Sequence, residues 1–408
     1  MRKRKNPSKY LGNEIDYLKK VLNAESWSAT GGSWANKLES EFAELHGVRF
    51  AVAMNSGTST LHSALLALGV GPGDEVLTPA LTVIMDTTSI LHANAVPKYV
   101  DVDINTFNID VKHLEESITS KTKAIIVVSL YGLPCNLTEI MEIANKHDIP
   151  VIEDNAQCIL SKYDGKIVGS FGAISSWSFE NTKHISCGEG GIVTTDSEIL
   201  AEKMRKIAGH GFKNLRASEG RIRLNQEVFQ DPNYKRHDSL GWNYRMPEFN
   251  AAVALAQLER VETLVRLRVE SAKMFLNVMS ESDLFIPQSE SPRSTHSYYT
   301  LAARYLGDEK LGVSWQDFRK AYVELGGDGI YGAWSVPYLE PLMSTSKFKE
   351  SNPEIYENVS FPEGLCPNAE LIQPQIMQFK TNYRDLKLAK AKSEILRETI
   401  KRISSGAI

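Results

Sequence analysis

From Phe50 to Thr194 the chain alternates short apolar runs with longer segments of helical period, and no other feature restricts the fold as tightly. Apolar runs without polar alternation are buried on both faces, and a chain that inserts a helix after each one builds a parallel sheet covered by helices. Seven runs predict strands: Phe50–Met54, Glu75–Thr78, Pro97–Val100, Lys123–Ser129, Ile149–Ile152, Ile174–Phe179 and Gly191–Thr194. Between them, Thr58–Leu68, Val83–His92, Val111–Ile118, Leu137–Lys146 and Glu198–Ile207 carry helical period. The expected class is α/β, with a seven-stranded, mostly parallel sheet in one large domain.

From Pro247 to about Met274, apolar residues at Phe249, Val253, Leu255, Leu258, Val261 and Leu264 predict one long connecting helix. The domain boundary is placed in it, giving a large domain over 1–262 and a smaller α+β domain over 263–408. The second domain has a strand-like Tyr298–Arg304 and helices at Trp315–Leu325 and Leu386–Ile403.

Composition excludes several classes of function. At 408 residues with a formal charge of -4, nothing in the bulk charge points to nucleic acid or to an acidic membrane surface. Cys135, Cys158, Cys187 and Cys366 are far apart and form no metal or redox spacing, so they read as reduced thiols of a cytoplasmic protein. The basic run Met1–Lys5 and Asn6-Pro7-Ser8 supply no apolar core for a secretory signal, and no stretch reaches membrane-spanning length.

Three elements carry chemistry. Asn55-Ser56-Gly57-Thr58-Ser59-Thr60 follows a strand and opens a helix. Free N–H groups and the dipole at such a terminus favour a phosphate, Gly57 allows close approach, and Thr58 and Ser59 add hydroxyls. The same residues also make an ordinary N-cap. Ile149-Pro-Val-Ile-Glu-Asp154 is a strand ending in acids where parallel sheets bind ligands. Asp154 could hold a protonated ring nitrogen, with Gln157 presenting an amide beside it, or it could be a solvated strand-end acid. Ser178-Phe-Glu-Asn-Thr-Lys183-His184, followed by Gly188-Glu-Gly-Gly191, again lies past a strand. A partly desolvated lysine there can act as an amine nucleophile toward an aldehyde, although most lysines are surface solvation. Together the three supply phosphate donors, an acid and an amine at one sheet edge, which are the grips pyridoxal 5′-phosphate (PLP) requires.

Seven stretches in order resemble the DegT/DnrJ-type sugar aminotransferases of the aspartate-aminotransferase fold group. They are Asn55-Ser-Gly-Thr-Ser-Thr-Leu-His62, Gly71-Pro-Gly-Asp-Glu-Val76, Val100-Asp-Val-Asp103, Glu153-Asp-Asn-Ala-Gln157, Ser178-Phe-x-x-x-Lys183, Gly188-Glu-Gly-Gly191 and Asn243-Tyr-Arg-Met246. The resemblance implies a fold type I PLP-dependent transferase. It makes Lys183 the Schiff-base lysine, puts Asp154 on the pyridine nitrogen and Gln157 near the ring hydroxyl, and gathers Ser178, Gly57, Thr58 and Ser59 around the phosphate. It further implies that Asn243 reaches the phosphate of a neighbouring subunit, hence a homodimer, and that an amino acid, glutamate, donates its amine to a keto or aldehydo sugar.

Two features depart from the family pattern. The family carries an aromatic at the position of Val83, and the 212–240 segment is long and basic, with Arg216, Arg221 and Arg223 as candidates to clamp an anionic substrate. The favoured acceptor is a keto nucleotide-sugar. Pro79–Met85, the basic segment and Met377–Tyr383 also resemble the subgroup that aminates C8 of an oxidised octulosonic acid, which is the runner-up. For a PLP-dependent sugar dehydratase of the same family, the resemblance implies histidine where Lys183 stands. A nicotinamide dehydrogenase fails on order, because Gly69-Val-Gly71-Pro-Gly73 follows a helix and precedes a strand. A scaffold without chemistry would not need the complete set of grips.

Overall fold

A computed structural model describes residues 9–24 and 26–407. The basic N-terminal run and Asn6-Pro7-Ser8, which bore on the signal-peptide expectation, lie outside the described residues. All seven expected strands form one sheet: β1 (Phe50–Met54), β2 (Glu75–Pro79), β3 (Val96–Val100), β4 (Thr122–Val128), β5 (Val151–Asp154), β6 (Ile174–Ser178) and β7 (Gly191–Thr195). Their spatial order is β1-β7-β6-β5-β4-β2-β3. Only β7 runs against the rest, pairing antiparallel with both β1 and β6.

Strand alternation sorts the side chains onto two faces. Ala51, Ala53, Ile125, Val127, Val151 and Ile192 enter one core, together with the helices Trp34–His46 and Glu248–Leu258. Val52, Met54, Ile126, Val128, Ile152 and Val193 enter the other, under the helices Gly57–Ala67, Ile84–His92 and Glu198–Ala208. The near-continuous apolar runs are therefore those of a sheet covered on both sides.

The connecting helix departs from expectation. It is two helices, Glu248–Leu258 and Val261–Met279, with Arg260 non-helical between them. The first packs on Glu14–Leu22 and Trp34–His46, and the second on Leu386–Ser404. The break falls where the packing partners change.

A smaller antiparallel sheet runs in the order Phe285–Pro287, Leu301–Tyr305, Ile376–Phe379 and Tyr331–Gly332, and shares a third core with the helices Val261–Met279, Trp315–Glu324 and Leu386–Ser404. The chain between these strands returns to the large sheet, where Val336, Tyr338, Met343, Phe348, Tyr356 and Ile372 join its second core. Among the described residues, no helix is long and apolar enough to cross a membrane.

Candidate active site

Because β1, β5 and β6 run the same way, their carboxyl ends lie at one sheet edge, and β7 starts there. A cavity of about 1000 Å³ opens at that edge, lined by Gly57, Thr58, Val83, Asp154, Ser178 and Lys183 among others.

One corner of the cavity is built by a helix start. Ser56 caps the helix reciprocally: its Oγ accepts from Ser59 N at 3.1 Å, and Ser59 Oγ accepts from Ser56 N at 3.2 Å. Gly57 and Thr58 then present the positive helix end to the cavity. A Cβ on Gly57 would lie 2.9 Å from Ser178 Cβ, and one on Gly191 would lie 2.5 Å from the Ser56 carbonyl oxygen. Glycine at both positions lets β1, β6 and β7 close around the corner. Ser59 itself is 4% exposed and its hydroxyl is spent on the cap, donating to Asn55 Oδ1 and the Ser56 carbonyl, both at 2.8 Å. The structure does not bring that hydroxyl to the cavity.

The two acids ending β5 divide by strand alternation. Glu153 turns into the protein and accepts from the N–H groups of Gly169, Phe171 and Gly172, which fixes the 169–172 loop. Asp154 turns to the cavity, with its Oδ1 held by Ala156 N at 2.9 Å. Gln157 lies behind it against a small adjoining void shared with Thr82, Tyr131 and Tyr299, its Oε1 accepting from Tyr131 N at 2.8 Å.

Lys183 lines the cavity with its Nζ 4.8 Å from the Tyr299 ring centroid. His184 points the other way into the core, its Nε2 bonded to the Ser297 carbonyl at 3.0 Å, and burial holds the ring neutral. Ser178 Oγ accepts from Glu180 N at 3.3 Å beside Gly57. Asn243 is exposed, and its main-chain carbonyl accepts from Asn55 Nδ2 at 3.3 Å. It does not line its own chain's cavity. Nor do Arg216, Arg221 or Arg223: Arg216 is 3.8 Å from Glu202 and Arg223 pairs with Glu219 at 2.5 Å.

Several lining residues escape a reading by motif. Arg268, on the helix Val261–Met279, is 2% exposed and donates to the carbonyls of Thr182, Lys183 and Tyr299. Lys380, Thr381 and Asn382 belong to the Met377–Tyr383 stretch, which resemblance had marked but chemistry had not. Tyr331 and Trp334, 71% and 55% exposed, stand at the mouth. Asp86 does not line the cavity but, fully buried, lies against Asp154. In sequence these residues show only as helix-surface or loop positions.

The donor set fits PLP. A helix end with a serine beside it suits the phosphate, a buried carboxyl suits the ring nitrogen, and a lysine stands where an aldehyde would meet it.

Residues 10–357 match the model of the DegT/DnrJ/EryC1/StrS aminotransferase family. The chain is 42% identical over 252 residues to the GDP-perosamine synthase of Caulobacter vibrioides, a match spanning 62% of this chain and 63% of that protein. It is 36% identical over 291 residues to the GDP-perosamine synthase of Escherichia coli O157:H7, spanning 71% and 74%. The solved aminotransferase from Psychrobacter cryohalolentis superposes with a TM-score of 0.85 at 30% identity, over 98% of this chain and 99% of that one. The chain belongs to the DegT/DnrJ/EryC1/StrS aminotransferase family, and PLP is its cofactor.

Proposed function

We propose that this family member transfers an amino group from an amino acid, glutamate, to a keto sugar carried on a nucleotide. The observation that carries the reading is the convergence of Lys183, Asp154 and the Gly57 helix end on one cavity. Bound there, PLP supplies an aldehyde through which an amine is taken from one substrate and given to another. Asp154 holds the ring nitrogen, Ser178 joins Gly57 and Thr58 at the phosphate, and Val83 forms an apolar wall. Lys183 carries the cofactor and moves the proton at the carbon that gains or loses the amine.

The mouth of the cavity favours a nucleotide-linked acceptor. Tyr331 and Trp334 leave ring faces open there, and Lys380 adds a cation 4.0 Å from Asp328. Exposed rings and a lysine suit a base and a diphosphate. Both curated relatives described above are named for an amino-sugar nucleotide. A dehydratase would need histidine at position 183, and the neighbouring His184 faces the core.

Asn243, exposed and outside its own cavity, is assigned to the site of a partner copy, which makes the functional unit a homodimer. The domains are assigned to 1–262 and 263–408. The four free thiols, with Cys135, Cys158 and Cys366 buried, support the cytoplasm as the compartment.

A half-reaction tests the substrate. The enzyme is loaded with amine from glutamate, a GDP-linked keto sugar or an 8-oxo octulosonic acid is added, and the cofactor spectrum is followed. Return of the PLP spectrum with the nucleotide sugar alone is the expected result. Return with the octulosonic acid alone would overturn the reading.

A further inference from the structure

Asp86 is fully buried, lies beside the site, and has no part in the grips described above. It sits in the first turn of the helix Ile84–His92, where Thr82 Oγ1 donates to its Oδ2 at 2.5 Å. Its Oδ1 finds no donor among the described residues. The Asp86 carboxyl faces that of Asp154, itself an acceptor, so the contact is a hydrogen bond only when one of the two acids carries a proton.

Two carboxylates desolvated side by side do not both ionise. Asp154 has Ala156 N on its Oδ1 and faces the cavity and Lys183, whereas Asp86 has one hydroxyl and no exposure. The groups facing Asp86 are Thr82 on its own chain segment, Asp154 on β5, Lys183 past β6, and the Tyr99 phenol on β3. Lys183, the Thr82 hydroxyl and the helix end favour its anion. Burial and Asp154 oppose it and prevail, so that Asp86 is pushed well above the ordinary carboxylate range.

We infer that Asp86 is a positioning residue: as a neutral carboxylic acid it donates its proton to Asp154, fixing that group as the single oriented anion presented to the cofactor ring. The inference rests on the reading of Asp154 as the ring-nitrogen partner. The chain Thr82–Asp86–Asp154 then orients the carboxylate from behind, on a wall where Val83 supplies no aromatic ring.

Infrared difference spectra of wild type against the isosteric Asp86→Asn, at neutral pH, with and without PLP, test the proton directly. A protonated-carboxyl carbonyl band in wild type that disappears in Asp86→Asn is expected. No such band, or its persistence in the variant, would overturn the inference. The dissociation constant for PLP tests the positioning. Asp86→Asn keeps a donor and should stay within about twofold of wild type, while Asp86→Ala removes it and should bind roughly tenfold more weakly. Equal weakening in both variants, or none in Asp86→Ala, would overturn it. If wild type shows the band yet does not bind PLP, the reading of the site fails and the carboxyl pair stands.

Discussion

Arg268 and Lys183 are joined through the main chain: Nη2 of the buried guanidinium donates to the Lys183 carbonyl at 3.1 Å. The same nitrogen reaches the Thr182 carbonyl at 2.8 Å, and Nη1 reaches that of Tyr299. A side chain of the connecting helix thus pins the loop that carries the amine. Arg268→Met leaves the Thr182 and Lys183 carbonyls without a side-chain donor, whereas that of Tyr299 keeps the Thr381 hydroxyl at 3.0 Å, so at about 1–3 kcal/mol for each unsatisfied carbonyl a loss of about 2 kcal/mol or more in urea unfolding is expected. Arg268→Lys should recover only part of it, because an ammonium lacks the fork.

Lys183→Ala should abolish turnover while leaving urea stability within about 1 kcal/mol of wild type, since the side chain is only half-buried. Borohydride reduction of the wild-type holoenzyme should fix the mass of the cofactor on the peptide containing Lys183. Ordinary turnover by the variant would exclude the assignment. Asp154→Asn should lower turnover strongly without unfolding the protein.

Gly57→Ala places a methyl 2.9 Å from Ser178 Cβ. Overpacking of this kind costs about 1–3 kcal/mol and should move the helix end, weakening PLP binding as well. Combining it with Ser178→Gly removes the opposing carbon and should restore stability, though not the serine's contribution to cofactor affinity. Calorimetry and cofactor titration together separate the two effects.

A shared site predicts complementation between inactive variants. Lys183→Ala and Asn243→Ala homodimers, unfolded and refolded as a mixture, should regain roughly a quarter of wild-type activity, because half the molecules are mixed dimers in which one of two sites is intact. Sedimentation should show a dimer without substrate. Failure to regain activity despite mixed dimers would remove Asn243 from the partner's site.

His46 sets a pH dependence for stability. It lies in the core with rings of Phe42 and Trp177 4.2 and 4.4 Å away, its Nδ1 donating to the Phe42 carbonyl at 2.9 Å, and burial pulls its pKa from 6.5 down to about 4. The unfolded chain binds the proton first as pH falls. The contribution is therefore complete above pH 6.5 and is lost down to about pH 4, up to about 3 kcal/mol. His46→Gln should flatten the slope of urea stability against pH across that window.

The two halves of the site differ in how far they could be read. Ser56 to Ser59, Asp154 and Ser178 to Lys183 sit within a few residues of strand ends, so strand periodicity and the rule that parallel strands share one carboxyl edge bring them together without coordinates. Alternation puts Glu153 and Asp154 on opposite faces, but in a strand buried on both sides only the structure shows which of them faces the cavity. Ser59 shows the limit, because a hydroxyl at a helix start serves a cap or a ligand equally well until its rotamer is known. The connecting helix is two rather than one for a related reason: its apolar period continues through Arg260, and the break there falls where the packing partners change.

The sequence by itself determined the sheet, its seven strands, and the meeting of the Gly57 helix start, Asp154 and Lys183 at one sheet edge, because each depends on local periodicity and on residues close to a strand end. Only the tertiary structure decided that Arg268 pins the Lys183 loop, that Asp86 backs Asp154, and that Lys380, Tyr331 and Trp334 reach the mouth of the cavity. Those relations join segments dozens to hundreds of residues apart, and a buried acid or arginine reads in sequence as an ordinary helix-surface charge. Burial is what converts such a charge into a pinned loop or a held proton, and burial is a property of the packed chain.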